Sequence, residues 1–301
     1  MALTSRELAA GTVRWSGAAY LARRTLARRR VSVLLYHDPG PDLFERHLEY
    51  LSRRYRFVTL AQLVEALGDR RRFAELPSNS LVITFDDGLR GNYALLPLFR
   101  RYGVVPTIYL CTRIVNTSRH YWFLESGVDV ERLKMVSNDD RVAHLREHTG
   151  FTETTEYPEE ARQSLTLAEI DEMKDTVDFQ SHSLTHPVLT LTSEEECREQ
   201  IFASKEEVES LVGRACEHFS FPNYDYSERE LRLVREAGYQ SARTGEIGWV
   251  GPDCDPFRLR LLVMGGDTSS VNVLASHLAG TRALSRLVAR RRTAGSASAR
   301  A

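Results

Sequence analysis

The sequence predicts a parallel α/β fold, either barrel-like or doubly wound. Two observations carry this reading. From residue 31 to residue 264, short apolar runs rich in β-branched residues alternate with amphipathic stretches of helical period. Several of those runs also end in carboxylates, imidazoles or a Pro-Asn turn, and in parallel sheets chemistry gathers at the carboxyl ends of the strands. A chain of 301 residues, 42% hydrophobic and 27% charged, can build the core that one large domain needs.

The elements follow in order. VSVLLYH (31–37) is a strand. PDLFERHLEYLSRRY (41–55) is a helix with Leu43, Phe44, Leu48 and Leu51 at helical spacing. LAQLVEALG is a second helix, closed by Gly68. SLVITF (80–85) is a fully apolar strand that runs into Asp86, Asp87 and Gly88. YALLPLFRRYG is a helix ending at Gly103, and VVPTIYLC is a strand. The stretch 113–165 breaks the rhythm: it is polar, carries Trp122, and reads as a helical insertion forming one wall of a cleft. TLAEIDEMKD is a helix capped by a threonine, and TVDFQSH a strand. TSEEECREQIFASKEEVESLVG is a long helix with a capping box at Thr192 or Ser193. CEHFSFP is a strand, SERELRLVREAG a helix, YQSART a strand and FRLRLLVM a last strand.

Net charge is −1, so total charge names no partner, and no nucleic acid is expected. The distribution is uneven. Residues 1–30 hold seven Arg and one Glu, and residues 282–301 hold six Arg and no acid. The first segment is predicted as a basic leader helix and the second as a disordered tail, flanking a single domain over 31–281. No run reaches the roughly 18 apolar residues of a membrane span, and the N-terminus has no apolar signal region. The expectation is a cytoplasmic protein whose basic ends can touch the inner face of the membrane. Cys111, Cys197, Cys216 and Cys254 show no C-x-x-C spacing and read as reduced thiols.

Adjacent aspartates at the end of a buried strand are costly unless a cation meets them. The plainer alternative is an Asx-type turn, because Asp-Gly closes strands well. The rest of the chain favours the cation. His182 and His186, four residues apart, close another predicted strand. Two imidazoles and a carboxylate from a different strand make an open three-ligand metal site, and a second carboxylate beside it can take a proton from water. Strand ends also deliver Tyr36, His37 and the FPNY turn.

These motifs resemble the polysaccharide deacetylase family, the carbohydrate esterases with a NodB-type domain (carbohydrate esterase family 4-like). The family's T-F-D-D-G stands as Thr84-Phe85-Asp86-Asp87-Gly88, and its [G/Q]-S-H-[S/T]-x-x-H-P-x-L as residues 180–189. The opening LLYHDPGPDLFERHLEYL resembles the subgroup that begins with a Y-H strand. The resemblance implies a distorted, incomplete (β/α) barrel. It implies Asp86 as general base, with Asp87, His182 and His186 holding one divalent ion, most often zinc. It implies a backbone N–H after Pro222, here that of Asn223, for the oxyanion. Tyr36, Pro222 and Tyr224, with Trp122 from the insertion, are candidates for substrate contact.

Two departures stand out. The arginine that many members carry in the third motif is absent from Ser220-Phe221-Pro222; Arg260, or Arg258, is the candidate to orient Asp86. A clear histidine near the C-terminus to protonate the leaving amine is also missing. His37 is the candidate general acid, with His277 a poorer one. The expected activity is removal of acetyl groups from N-acetylated sugars of a polysaccharide, glycolipid or cell-envelope precursor. A binding protein with a degenerate site is the rival, favoured by the altered third motif. A second rival is HLREH (144–148), which fits the H-x-x-E-H of inverted zinc peptidases through His144, Glu147 and His148.

Overall fold

The computed structural model describes residues 5–264 and 270–281. Its centre is one parallel sheet rolled almost into a barrel. The strands are β1 (Ser32–Tyr36), β2 (Arg56–Phe57), β3 (Ser80–Phe85), β4 (Thr107–Leu110), β5 (Asp178–Ser181), β6 (His218–Ser220), β7 (Ser241–Ile247), β8 (Leu259–Leu261) and β9 (Val263–Met264). Their order is β8-β7-β6-β5-β4-β3-β1-β9, with β2 beside β3. FRLRLLVM, expected as one strand, is two. β8 extends one edge of the sheet and β9 the other, with Leu262 between them. The Leu262 N–H bonds the Val33 carbonyl at 2.9 Å, so one short run of chain bridges the seam of the incomplete barrel.

Parallel strands buried on both faces show no alternation in sequence, but the structure sorts them. Leu34, Tyr36, Leu81, Ile83 and Phe85 face the outer helices. Val33, Leu35, Val82, Tyr109 and Leu261 belong to a separate inner cluster. The outer helices bury the faces their periodicity marks: Pro41–Ser52 sets Phe44, Leu48 and Leu51 into the outer layer. The long helix runs Glu194–Val212 and uses Ser193 as its cap. Thr166 makes a full capping box with Glu169.

Some elements differ from expectation. YALLPLFRRYG divides into a 3-10 stretch Arg90–Leu95 and a helix Leu96–Tyr102, because Pro97 suits only a first turn. The N-terminal segment forms two helices, Ser5–Trp15 and Ala18–Thr25, broken at Gly17 with φ 82°. Both pack on the helix Val271–Leu278, where Arg14 Nη1 donates to Asn272 Oδ1 at 2.8 Å. The predicted tail, 282–301, lies outside the described residues. The four cysteines form no disulfide.

Candidate metal centre

Strand β3 ends at Phe85, and the next residue turns inward. Asp86 and Asp87 are both buried. Asp87 takes the left-handed conformation, φ 72°, followed by Gly88 at φ 69°. A side chain at Gly88 would also lie 2.6 Å from Leu110 Cδ2, so glycine is required there. His182 follows β5 directly, and His186 sits in a tight turn with φ 61°. Such non-glycine conformations are uncommon and cluster where a site imposes them.

The turns converge. Asp87 Oδ1 lies 3.5 Å from His182 Nε2 and 3.5 Å from His186 Nε2. Among the described residues this is the group of three whose ligand atoms could hold a metal ion, all within 4.8 Å of one another. Donors about 2.0–2.1 Å from a tetrahedral ion sit roughly 3.4 Å apart, so the spacing fits. His182 Nδ1 lies 2.8 Å from the Ser220 carbonyl, which can only accept. The proton therefore sits on Nδ1 and the Nε2 lone pair faces Asp87. Asp87 Oδ1 has no hydrogen-bond partner among the described residues, although it is buried. Two carboxylates share the site with one guanidinium, so a cation completes the charge balance.

That guanidinium belongs to Arg243, not Arg260. Arg243 Nη2 reaches both carboxylate oxygens of Asp86 and the Ser220 hydroxyl. Arg243 is buried on β7, opposite Ser220 in the parallel register, with its guanidinium 5.2 Å from the Tyr109 ring centroid. Arg260 points outward on β8, its side chain 52% exposed and 3.6 Å from Glu246. Arg258 pairs with Glu228 at the surface.

The electrostatics separate the two aspartates. Burial pushes the Asp86 carboxyl up, but Arg243, His182 and His37 outweigh it and hold the pKa below the usual carboxylate value. Asp87 is pushed well above it by burial and by the neighbouring Asp86 charge. Burial lowers His182 to about 4 despite Asp86. His186 is held well below its ordinary value by burial and by His182. Both imidazoles are thus neutral donors.

The site opens into a cavity of about 170 Å³ lined by His37, Asp86, Phe123, Lys134, Asn223 and Tyr224 besides the three ligands. His37 is half-buried at the end of β1, and burial lowers its pKa. Its Nε2 lies 3.4 Å from the Tyr224 hydroxyl, and its carbonyl accepts from Asn92 Nδ2 at 2.6 Å. Asn223 and Tyr224 both have left-handed backbones, φ 55° and 65°.

Other expectations change. Tyr36 does not line the cavity: its ring packs among Phe44, Phe85 and His47 on the outer face of the sheet, one residue out of phase with the mouth. Pro222 is buried in the 3-10 turn Pro222–Tyr224 and does not line the cavity. Trp122 is buried behind the site, donating from Nε1 to the His186 carbonyl at 2.8 Å. Tyr121 donates its hydroxyl to the Asp87 carbonyl. The insertion thus braces the backbones of two ligands. Phe123, the next residue, meets the cavity in place of Trp122, 4.5 Å from the His186 ring.

His144 and His148 stack on each other along the helix Asn138–Thr149 and belong to no three-ligand group among the described residues. That helix buries Arg141 instead, with its guanidinium 4.6 Å from the Trp122 ring centroid. His277 is buried in the helix Val271–Leu278, away from the cavity lining.

A family model described as Polysaccharide deacetylase matches residues 74–242. No curated protein matches the chain. Several solved structures share its fold. The Streptococcus pyogenes deacetylase PplD, in complex with acetate, aligns with a TM-score of 0.60 at 19% identity, covering 82% of this chain and 98% of that one. IcaB from Ammonifex degensii gives 0.60 at 18%, covering 82% and 97%. A de-N-acetylase from Aggregatibacter actinomycetemcomitans gives 0.57 at 14%, covering 82% and 99%. At these identities the likeness is one of fold.

Proposed function

This chain belongs to the polysaccharide deacetylase family, and from that premise we propose that it is a metal-dependent hydrolase releasing acetate from an N-acetylated sugar. The observation behind the proposal is the meeting of the Asp87–His182–His186 set with an Arg243-bound Asp86 on one cavity floor. The nitrogen and oxygen donor set suits zinc. A divalent ion held there would polarise an acetyl carbonyl and bring the pKa of water to about 7.

The chain's own residues supply the rest. Asp86, kept ionised by Arg243, takes the proton of the attacking water. Because Arg243 grips both carboxylate oxygens, the base cannot rotate out of line. The backbone N–H of Asn223 steadies the developing oxyanion. His37 faces the same cavity and, once protonated, passes that proton to the departing amine; burial weakens its hold on it. Tyr224 fixes the orientation of the His37 ring.

The cavity, about 170 Å³, falls below the roughly 300–1,000 Å³ of sites that enclose a drug-sized ligand. It suits an acetamido group, with the sugar lying across the mouth. A polysaccharide, glycolipid or envelope precursor presents such groups. The de-N-acetylase among the structural neighbours supports the N-acetyl assignment.

Acetate release from N-acetylglucosamine oligomers tests the reading. Asp86→Asn keeps the bound ion and loses activity by about 10³-fold. A wild-type chain that holds its ion and binds the oligomer but releases no acetate is a binding protein instead. The arginine missing from the third motif no longer favours that rival, because Arg243 occupies its place beside Asp86.

A further inference from the structure

We propose that the two N-terminal helices and the arginine run after them form a docking face for an anionic phospholipid bilayer. Large apolar side chains exposed among the described residues concentrate there: Leu8 (58%), Trp15 (76%), Tyr20, Leu21 (61%) and Leu26, against four in all the rest. Leu8, Thr12 and Trp15 follow one helical face and are all exposed.

The segment's own charge is almost all of one sign. Arg24, Arg28, Arg29 and Arg30 are exposed and make no ion pair among the described residues. By contrast, Arg101 meets Glu45 at 2.5 Å and Arg198 meets Glu236 at 2.6 Å. The one acid of this segment, Glu7, is turned toward the helix Val271–Leu278, accepting from Ser270 Oγ at 2.6 Å. A cavity of about 430 Å³ lined by Arg28, Arg29, Arg30, Phe73 and Ser78, with Arg70 already paired to Asp253 at 2.7 Å, opens beside the run, and its three unpaired arginines can take a lipid phosphate.

An exposed apolar face ringed by unpaired arginines lacks two things, hydrocarbon and negative charge, and an anionic bilayer supplies both. The arginine run leads into β1, whereas His37 follows its far end. Docking therefore leaves the catalytic mouth turned away from the lipid, toward substrate held beyond the headgroups.

Co-sedimentation of the full chain with vesicles tests this, using phosphatidylglycerol or phosphatidylcholine and repeating each at raised salt. The chain should pellet with phosphatidylglycerol alone, less so at raised salt. Arg28→Gln/Arg29→Gln/Arg30→Gln should weaken binding by roughly tenfold or more, and Trp15→Ser/Leu21→Ser should do likewise. Both variants should keep the far-UV circular dichroism and the acetate release of the parent on soluble oligomers. A lipid-dependent blue shift of tryptophan emission should vanish in Trp15→Phe. Absence of phosphatidylglycerol binding overturns the proposal, as does binding unchanged in both multiple variants. So does a dimer in lipid-free sedimentation that Trp15→Ser/Leu21→Ser converts to monomer, since a second copy then covers the face.

Discussion

Ser220 and Arg243 face each other across β6 and β7, and the charge of Asp86 depends on that pair. Many members of the family carry an arginine in the third motif; here a serine stands in that stretch and the guanidinium comes from the neighbouring strand. Arg243→Ser should lower acetate release by roughly 100-fold or more. It should also cost about 3–5 kcal/mol of stability, because Asp86 is left buried and unpaired. Ser220→Arg in the same chain should restore much of both, measured by acetate release and urea unfolding, while Arg260→Ala should change neither. Asp86, Asp87, His182 and His186 were legible because their motifs close strands and stand contiguous in sequence. Arg243 was not, because register between strands is invisible in linear spacing. Its one signal was an arginine between Ala242 and Thr244 in YQSART, a strand of a buried sheet.

At the scale of elements, the insertion brings Tyr121 and Trp122 behind the ligand turns, one to each backbone. Both ligand residues hold left-handed conformations, so the braces restrain geometry that the local chain disfavours. Trp122→Phe keeps most of the packing and removes the bond to the His186 carbonyl. It should weaken metal affinity about tenfold, as outer-shell changes commonly do, measured by competition with a chromogenic chelator. The sequence flagged this tryptophan but could not show which way it faced. The same holds for β1: with both faces apolar, nothing in VSVLLYH reveals that Tyr36 points outward to Phe44 and His47 while His37 turns to the cavity. Capping signals were more dependable, since Thr166 and Ser193 make their bonds within one turn.

For the whole molecule, the parallel α/β alternation foretold the architecture, and the choice between barrel and doubly wound sheet rested on the seam where Leu262 joins β8 to β9. The outer layer also carries a pH liability. Burial lowers His47 to about 4 in the folded chain, below the ordinary histidine value of 6.5. Between those values the unfolded chain binds the extra proton, so stability is full above pH 6.5 and falls as pH drops toward 4. Between neutral pH and pH 5 the loss amounts to about 2 kcal/mol. Urea midpoints at the two pH values should shift less in His47→Asn than in the wild type. The central claim is that the whole chain holds one divalent ion through Asp87, His182 and His186, and elemental analysis of purified protein tests it most directly. The account predicts about one equivalent of divalent ion per chain in the wild type and in His148→Ala, and almost none in Asp87→Ala, His182→Ala or His186→Ala. An ion retained by His186→Ala and lost from His148→Ala would contradict it.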